Sequence, residues 1–314
     1  MLKSIDIADR LVFAWWNTGV SPPKRGGRAG GNELEIASQV VSALLRDASV
    51  DCLGLAEVTE DDLERFLGDS ASPSYSAYVG TLREGRAQFD TGALFNTERL
   101  SLVDQKAVFD RRGSQVLKLA NMIALELAED SHPFHVFLSH WPSHLVPDSE
   151  STRIALASRL RRFIDDTVTG CDGDARLILM GDFNEEPFHE CLEGQLLATR
   201  DRGLAVQSPS RLYNPFWRHL GEIEPYVQAK NPQSCAGTCR VPKGRETNWK
   251  TVDQIIVSSS FLGASCWHLN EELTGVMSDS LFGSGSEERS RVLDHLPVFL
   301  TIERIQQPEG GSHG

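Results

Sequence analysis

Cysteine is scarce in this chain. The six cysteines, Cys52, Cys171, Cys191, Cys235, Cys239 and Cys266, are scattered over 314 residues. A disulfide scaffold would be denser, so the pattern predicts reduced thiols in a cytoplasmic protein. The closest pair, Cys235 and Cys239, has three intervening residues and no second pair to complete a zinc site, and reads as structural or incidental. Long apolar runs are also missing. None approaches the roughly 18 residues of a membrane span. The opening MLKSIDIADRLVFAWW carries Asp6, Asp9 and Arg10 where a signal peptide needs an unbroken apolar stretch. Positive charge is in deficit: Lys and Arg number 31 against 44 Asp and Glu, a formal net charge of −13. Bulk attraction to nucleic acid or to an anionic membrane is excluded. A phosphate-ester substrate would need a local basic patch or a bound cation.

What is present is ordinary for a soluble globular chain: 40% hydrophobic and 24% charged residues. No internal repeat is visible. Apolar runs predict strands at Leu11–Trp16, Cys52–Ala56, Gly92–Phe95, Leu119–Leu127, Phe134–Ser139, Leu177–Met180, Val252–Val257 and Val298–Ile302. Helical periodicity covers Glu33–Arg46 and Ser151–Ile164, with Asn32 and Ser149 or Ser151 as N-caps. Strands outnumber helices, which predicts an α/β sandwich rather than a simple doubly wound sheet. Residues 21–32, 200–250 and 278–289 read as loops, and 306–314 as a disordered tail. Residues 1–305 therefore read as one domain.

The apolar runs share a second property. Each of six delivers a polar residue at or near an end: Asn17 after VFAWW, Glu57 after CLGLA, His140 after VFLS, Asp182 and Asn184 after LILMG, Asp253 within TVDQIIV, and Asp294 with His295 before LPVFL. One such residue is most simply a cap or turn residue. Six in these chemical types predict a shared cleft at the ends of adjacent strands. Glu57 and Asp294 are hard oxygen ligands suited to Mg²⁺ or Mn²⁺. Asn17 and Asn184 can ligate or hydrogen-bond without adding charge. His140 can donate to a phosphate oxygen. His295 suits a general base or a phosphate ligand, with Asp253 to orient it. Asp182 suits a metal or an attacking water. Together they suit metal-assisted hydrolysis of a phosphate ester. No serine or cysteine nucleophile stands out, and GRAGGN lacks the Gly-Lys-Ser/Thr of a phosphate-binding loop.

The order WWN, GLAEV, LSHWPS, MGDFNEEP, VDQIIVS and LDHLPV, spread over residues 15–298, resembles the endonuclease/exonuclease/phosphatase superfamily. YNPFW at 213–217 and Gly237-Thr238 resemble its bacterial members. The resemblance implies a four-layer sandwich of two packed mixed β-sheets flanked by helices. It also implies a divalent metal near Glu57, with Asn17 and Asp294 close by. Asp182 and Asn184 would position water and phosphate. His295 with Asp253 would contact the phosphate or activate the water, and His140 would donate to a phosphoryl oxygen.

Secondary candidates have plainer readings beside the functional ones. Lys24, Arg25 and Arg28 suit a phosphate clamp or a surface loop. Ser143 and Arg153 suit support of the site or a solvated helix face. Trp141 and Trp249 suit stacking on a base or core packing. The leading function is a nuclease, with nucleic acid as substrate. The alternative is a phosphatase or phosphodiesterase acting on a small-molecule or lipid-headgroup ester. TVDQ, where inositol-phosphatase relatives usually show a WCDR-like run, lowers that branch. A dead binding module conflicts with a complete catalytic set. Release by a regulatory protein partner leaves no mark in the sequence.

Overall fold

The computed structural model describes residues 7–21, 29–70, 74–84, 87–171, 175–221, 237–241, 249–263, 265–277 and 294–305. From the N-terminus, β1 (Ile7–Asn17), α1 (Gly31–Arg46), β2 (Cys52–Ala56), α2 (Glu60–Ser70) and β3 (Tyr75–Val79) lead into a short ribbon, β4 (Arg83–Glu84) with β5 (Ala87–Gln88), and then β6 (Thr91–Asn96). Next come β7 (Leu100–Arg112), β8 (Gln115–Leu127), β9 (Asp130–His140), α3 (Ser149–Gly170) and β10 (Arg176–Asp182). β11 (Ala198–Thr199), α4 (Arg202–Gln207), β12 (Leu212–Tyr213), β13 (Cys239–Arg240), β14 (Trp249–Lys250), β15 (Asp253–Ser258), β16 (Trp267–Val276) and β17 (Val298–Ile305) complete the order.

Two mixed sheets dominate, as expected. One runs β16-β17-β1-β2-β6-β3, the other β11-β12-β15-β10-β9-β8-β7. The central strands are buried on both faces, which is why VFAWW and LILM are continuous apolar runs rather than alternating ones. Phe13 and Trp15 of β1, and Ile178 and Met180 of β10, belong to the core between the sheets. Ala14 and Trp16 face the layer of α1 and α2 instead, beside Val41, Leu44 and Phe66. Leu177 and Leu179 face α3, beside Leu156 and Leu160. Each such buried side chain contributes about 1.5–3 kcal/mol. Among the described residues no helix is long and apolar enough to cross a membrane.

Several local expectations need correction. α1 starts a residue earlier than Asn32: Gly30 is its N-cap, with the Glu33 carboxylate accepting from the Gly30 N–H. α3 is preceded by Asp148 in the left-handed conformation, and Ser149 and Ser151 lie inside its first turn. The expectation of a cap at Ser149 or Ser151 fails because composition alone does not show where the backbone turns. The stretch 200–250, read as loop, holds α4, β12 and a 3₁₀ turn at Pro215–His219 in its described part. The long edge strand β7 carries too few apolar residues for alternation to flag it, and α2 is a short acidic helix whose apolar face is Leu63, Phe66 and Leu67. The tail 306–314 and the loop 278–289 lie outside the described residues.

Candidate active site

Register assembles the site. Asp182, the last residue of β10, is paired with His140 of β9 on one side and with Asp253 of β15 on the other. Three neighbouring strands therefore end in a row of His, Asp and Asp. From the facing sheet, Asn17 ends β1 opposite Ala56 of β2, and Glu57 follows directly. The amide of Asn17 donates to Asp182 Oδ2 at 3.1 Å and stands 3.4 Å from Glu57 Oε1. The two sheets thus meet at these carboxylates.

Two site residues hold unusual backbone. Glu57 has φ 53° and Asn184 has φ 52°, in the left-handed region that costs a non-glycine residue roughly 1–2 kcal/mol. At Asn184 the turn is stitched by its own N–H donating to Asp182 Oδ1 at 2.9 Å, and by its amide donating to the Trp141 carbonyl at 2.9 Å. Gly181 is not the turning residue. It lies opposite Ser139 on β9, and a Cβ there would stand 2.5 Å from the Ser139 carbonyl oxygen. Glycine is required for that close approach. Phe183 points into the core, edge-on to Trp141 with centroids 5.0 Å apart.

Two imidazoles flank Asp182, each held by its own carboxylate. His295 Nδ1 lies 2.7 Å from Asp253 Oδ2, and the other oxygen of Asp253 accepts from the Trp15 indole at 3.1 Å. Burial disfavours the His295 cation, but the Asp253 charge and hydrogen bond outweigh it and raise its pKa well above the ordinary value. His140 Nδ1 lies 2.8 Å from Asp90 Oδ2, and Asp90 is also bound by Lys118. Burial opposes the His140 charge too, and Asp90 again overturns it and raises its pKa. Burial would raise the Asp90 carboxyl, yet His140 and Lys118 hold it well below the usual carboxylate range. Asp182 moves the other way. Burial, then the nearby Asp253 charge, pushes its carboxyl up. The site therefore has one carboxylate with raised proton affinity between two imidazoles that favour their cations.

A profile of the Endonuclease/Exonuclease/phosphatase family matches residues 27–304. The chain belongs to the endonuclease/exonuclease/phosphatase family. No functionally curated protein matches it. Similar solved structures include the Bacteroides thetaiotaomicron mannosyl-6-phosphatase Bt3783, at 14% identity and TM-score 0.61 over 93% of this chain and 99% of that one. The human Nocturnin catalytic domain with bound sulfate is similar at 17% identity and TM-score 0.59, over 96% and 98%. D. rerio TDP2 complexed with a single-strand DNA product is similar at 14% identity and TM-score 0.58, over 93% and 98%. At such identities the likeness establishes the family's fold and leaves the substrate to the site itself.

Within this family member, the sequence-derived residues divide. Asn17, Glu57, His140, Asp182, Asn184, Asp253 and His295 come together as described. Asp294 is half-buried, its carboxylate accepting from the His295 N–H at 3.0 Å and its carbonyl from the Arg240 N–H at 2.7 Å. Arg153 is not on a solvated helix face. It is fully buried, gripping Glu185 through Nε at 2.8 Å and the Pro142 carbonyl through a second nitrogen at 2.7 Å. Ser143 accepts from the Leu145 N–H at 3.1 Å. Trp141 is core, and half-buried Trp249 packs beside the α1 layer. Lys24, Arg25 and Arg28 lie outside the described residues.

Sequence reasoning missed Asp90, Lys118, Glu185 and Cys239. The Cys239 sulfur stands 3.4 Å from His295 Nε2, and burial, above all, raises its thiol pKa. Asp90 follows no apolar run, so the strand-end pattern passes over it. Thr238, of the Gly237-Thr238 pair, also serves the site. Its hydroxyl accepts from the Asp253 N–H at 2.9 Å and so fixes the carboxylate that holds His295. Asn214 of YNPFW has a bracing role: its amide donates to Gln254, which donates to the Glu185 carbonyl at 2.7 Å behind the Asn184 turn.

Asp182, Asp253 and His295 each offer a ligand atom within 4.8 Å of the others. Asp253 is nonetheless committed, since both of its oxygens already accept hydrogen bonds from Trp15 and His295. Glu57 at the cleft edge is the better oxygen ligand for a hard divalent ion; Asn17, expected beside the metal, turns its amide nitrogen to Glu57 while its oxygen accepts from the Gly19 N–H at 3.2 Å.

Proposed function

We propose that this protein is a metal-dependent phosphodiester hydrolase that cleaves nucleic acid by attack of water on phosphorus. The observation that carries the reading is Asp182 flanked by His140–Asp90 and His295–Asp253, at the point where Asn17 and Glu57 arrive from the other sheet. The raised proton affinity of Asp182 suits it to position a water and accept its proton. His295 and His140, favoured as cations, suit the negative charge that grows on the phosphoryl oxygens. Asp253 orients His295 through Nδ1, and Nε2, which stands 3.4 Å from the Cys239 sulfur, would exchange that contact for a phosphate oxygen. Asn184, held at the turn, completes the phosphate cradle. Glu57 and Asp294 would hold Mg²⁺ or Mn²⁺, with the Asn17 amide steadying Glu57, and the ion would supply Lewis-acid polarisation of a phosphoryl oxygen. Residues 1–305 act as one cytoplasmic catalytic domain in this reading, with no dedicated nucleophilic side chain.

A second reading, hydrolysis of a small phosphoester, is favoured by the net charge of −13 and by the similarity to a mannosyl-6-phosphatase. The test is incubation with Mg²⁺ or Mn²⁺ and a panel of single- and double-stranded DNA, RNA, an abasic duplex, bis-p-nitrophenyl phosphate and sugar and inositol phosphates, with His295→Ala as control. Metal-dependent cleavage of a polynucleotide, lost in the variant, is expected. Release from small esters alone would favour the second reading. Silence on every substrate would overturn both.

A further inference from the structure

Strand β8 slips by one residue just before the site. It pairs Asn121 with Ala107 and Ala120 with Val108 of β7, and then Lys118 with Phe109, so Leu119 is the extra residue of a β-bulge. In a regular strand, residues three apart point to opposite faces. Here Leu119 and Ala120 both pack into the α3 layer, beside Leu156 and Leu160. Lys118 and Asn121 are thereby turned together toward the other sheet. Bulges re-aim side chains in this way, often beside active sites.

Both halves of the His140–Asp90 pair are fastened to this short stretch. On the His140 side, the carbonyl of Leu119 accepts from the Ser139 hydroxyl at 3.2 Å and from the Trp141 indole at 3.1 Å. Those two residues flank His140 directly. On the Asp90 side, the Lys118 ammonium binds the Asp90 carboxylate and the Gln88 carbonyl. The Asn121 amide donates to the Thr91 hydroxyl at 2.7 Å and to the Gly80 carbonyl at 2.9 Å. Thr91 follows Asp90, and the Asp90 carbonyl in turn accepts from the N–H of Val58, next to Glu57, at 3.2 Å.

Asp90 leads into β6 of the first sheet, whereas His140 ends β9 of the second. Their 2.8 Å separation therefore depends on how the two sheets stand at this corner. Asn121 spans that gap. It is almost fully buried, and its side-chain oxygen has no hydrogen-bond partner among the described residues. An apolar side chain would avoid that unpaired oxygen, so what the amide contributes is its two donated bonds. The fit is close, since a Cβ at Gly80 would run into the Asn121 amide.

Resting on the hydrolase reading of the site, we propose that the bulge at Lys118–Asn121 is a positioning device for the His140–Asp90 pair, with Asn121 as its anchoring residue. Asn121 acts through Thr91, fixing the chain that carries Asp90 against the strand that grips the neighbours of His140.

The test is a double-mutant cycle of Asn121→Ala and His140→Ala, read as kcat and KM on bis-p-nitrophenyl phosphate with Mg²⁺, with circular dichroism to confirm folding. Asn121→Ala should lower kcat by about ten- to a hundredfold, the scale for groups that orient a contact residue, and leave KM nearly unchanged. In the His140→Ala background it should cost nothing further, because the pair it serves is already gone. The same loss in both backgrounds, or an unchanged kcat in folded Asn121→Ala, would overturn the proposal. If Asn121→Ala does not fold, Thr91→Val removes the accepting hydroxyl at nearly constant volume and is read in the same cycle. If the wild type cleaves no ester, the hydrolase reading has failed, and the imidazole Nδ1 protons, followed by ¹⁵N-edited NMR, decide the positioning alone. A His140 resonance that moves upfield or is lost to exchange, with that of His295 in place, supports the device. An unmoved His140 resonance, or equal shifts of both, overturns it.

Discussion

His295 and Asp253 stand 2.7 Å apart, Nδ1 to Oδ2, and the pair is fastened from both sheets. Trp15 of the first sheet donates its indole N–H to Asp253, while Thr238 accepts from the Asp253 N–H. Trp16 donates to the His295 carbonyl at 3.0 Å. The ring is therefore aimed by core residues of β1 and by Thr238, just before the short strand β13. A group held this way has little reorganisation to undergo when charge develops on a substrate.

Asp253→Asn should keep the fold and lower turnover by about 10²–10⁴, in line with loss of one acid/base or electrostatic group. His295→Ala should match it, and the double variant should lose little more than either alone, because the two act as a unit. Steady-state kcat with circular dichroism checks this. Near wild-type turnover in either single variant would remove these residues from the mechanism.

Glu57→Gln should raise the Mg²⁺ concentration for half-maximal activity by about tenfold or more and lower the plateau. A Mg²⁺ titration of the rate reads both effects. An unchanged midpoint would place the ion elsewhere.

The His140–Asp90 pair gives a pH signature. His140 has a folded pKa above its ordinary 6.5, so its contribution to stability is complete below 6.5 and lost as pH rises through the raised value. Asp90 has a folded pKa below its ordinary 3.8, so its contribution is present above 3.8 and lost as pH falls through the lowered value. Asp90→Asn breaks a buried pair and should cost about 3–5 kcal/mol between those limits. The cost should shrink, as pH rises through the raised His140 pKa, to the part owed to Lys118. Urea unfolding at a series of pH values measures it, and a pH-independent cost would contradict the charged pair.

Gly181→Ala places a Cβ 2.5 Å from the Ser139 carbonyl oxygen, and backbone on the parallel neighbour cannot swing aside. A loss of about 1–3 kcal/mol is expected from overpacking, together with reduced activity as Asp182 shifts relative to His140. A denaturation midpoint equal to that of the wild type would show that the two strands can separate at no cost.

The central strands were legible in the chain because burial on both faces leaves an uninterrupted apolar run, and polar residues at the ends of such runs stand out. That made Asn17, Glu57, His140, Asp182, Asn184, Asp253 and His295 nameable together, while the two packed sheets were what the family resemblance implied. Asp90 and Lys118 were not legible, since their tie to His140 arises from two chain positions 28 residues apart that only sheet packing brings together. Arg153 looked like a solvated face because helix periodicity does not reveal that Glu185 waits opposite it. Gly181 serves a close approach between strands, which only the pairing of β10 with β9 reveals. Local sequence thus determined which strands form and what chemistry they deliver, through hydrophobic patterning and residue type. Tertiary structure alone decided which carboxylate orients which imidazole, because such pairings depend on contacts between residues distant in the chain.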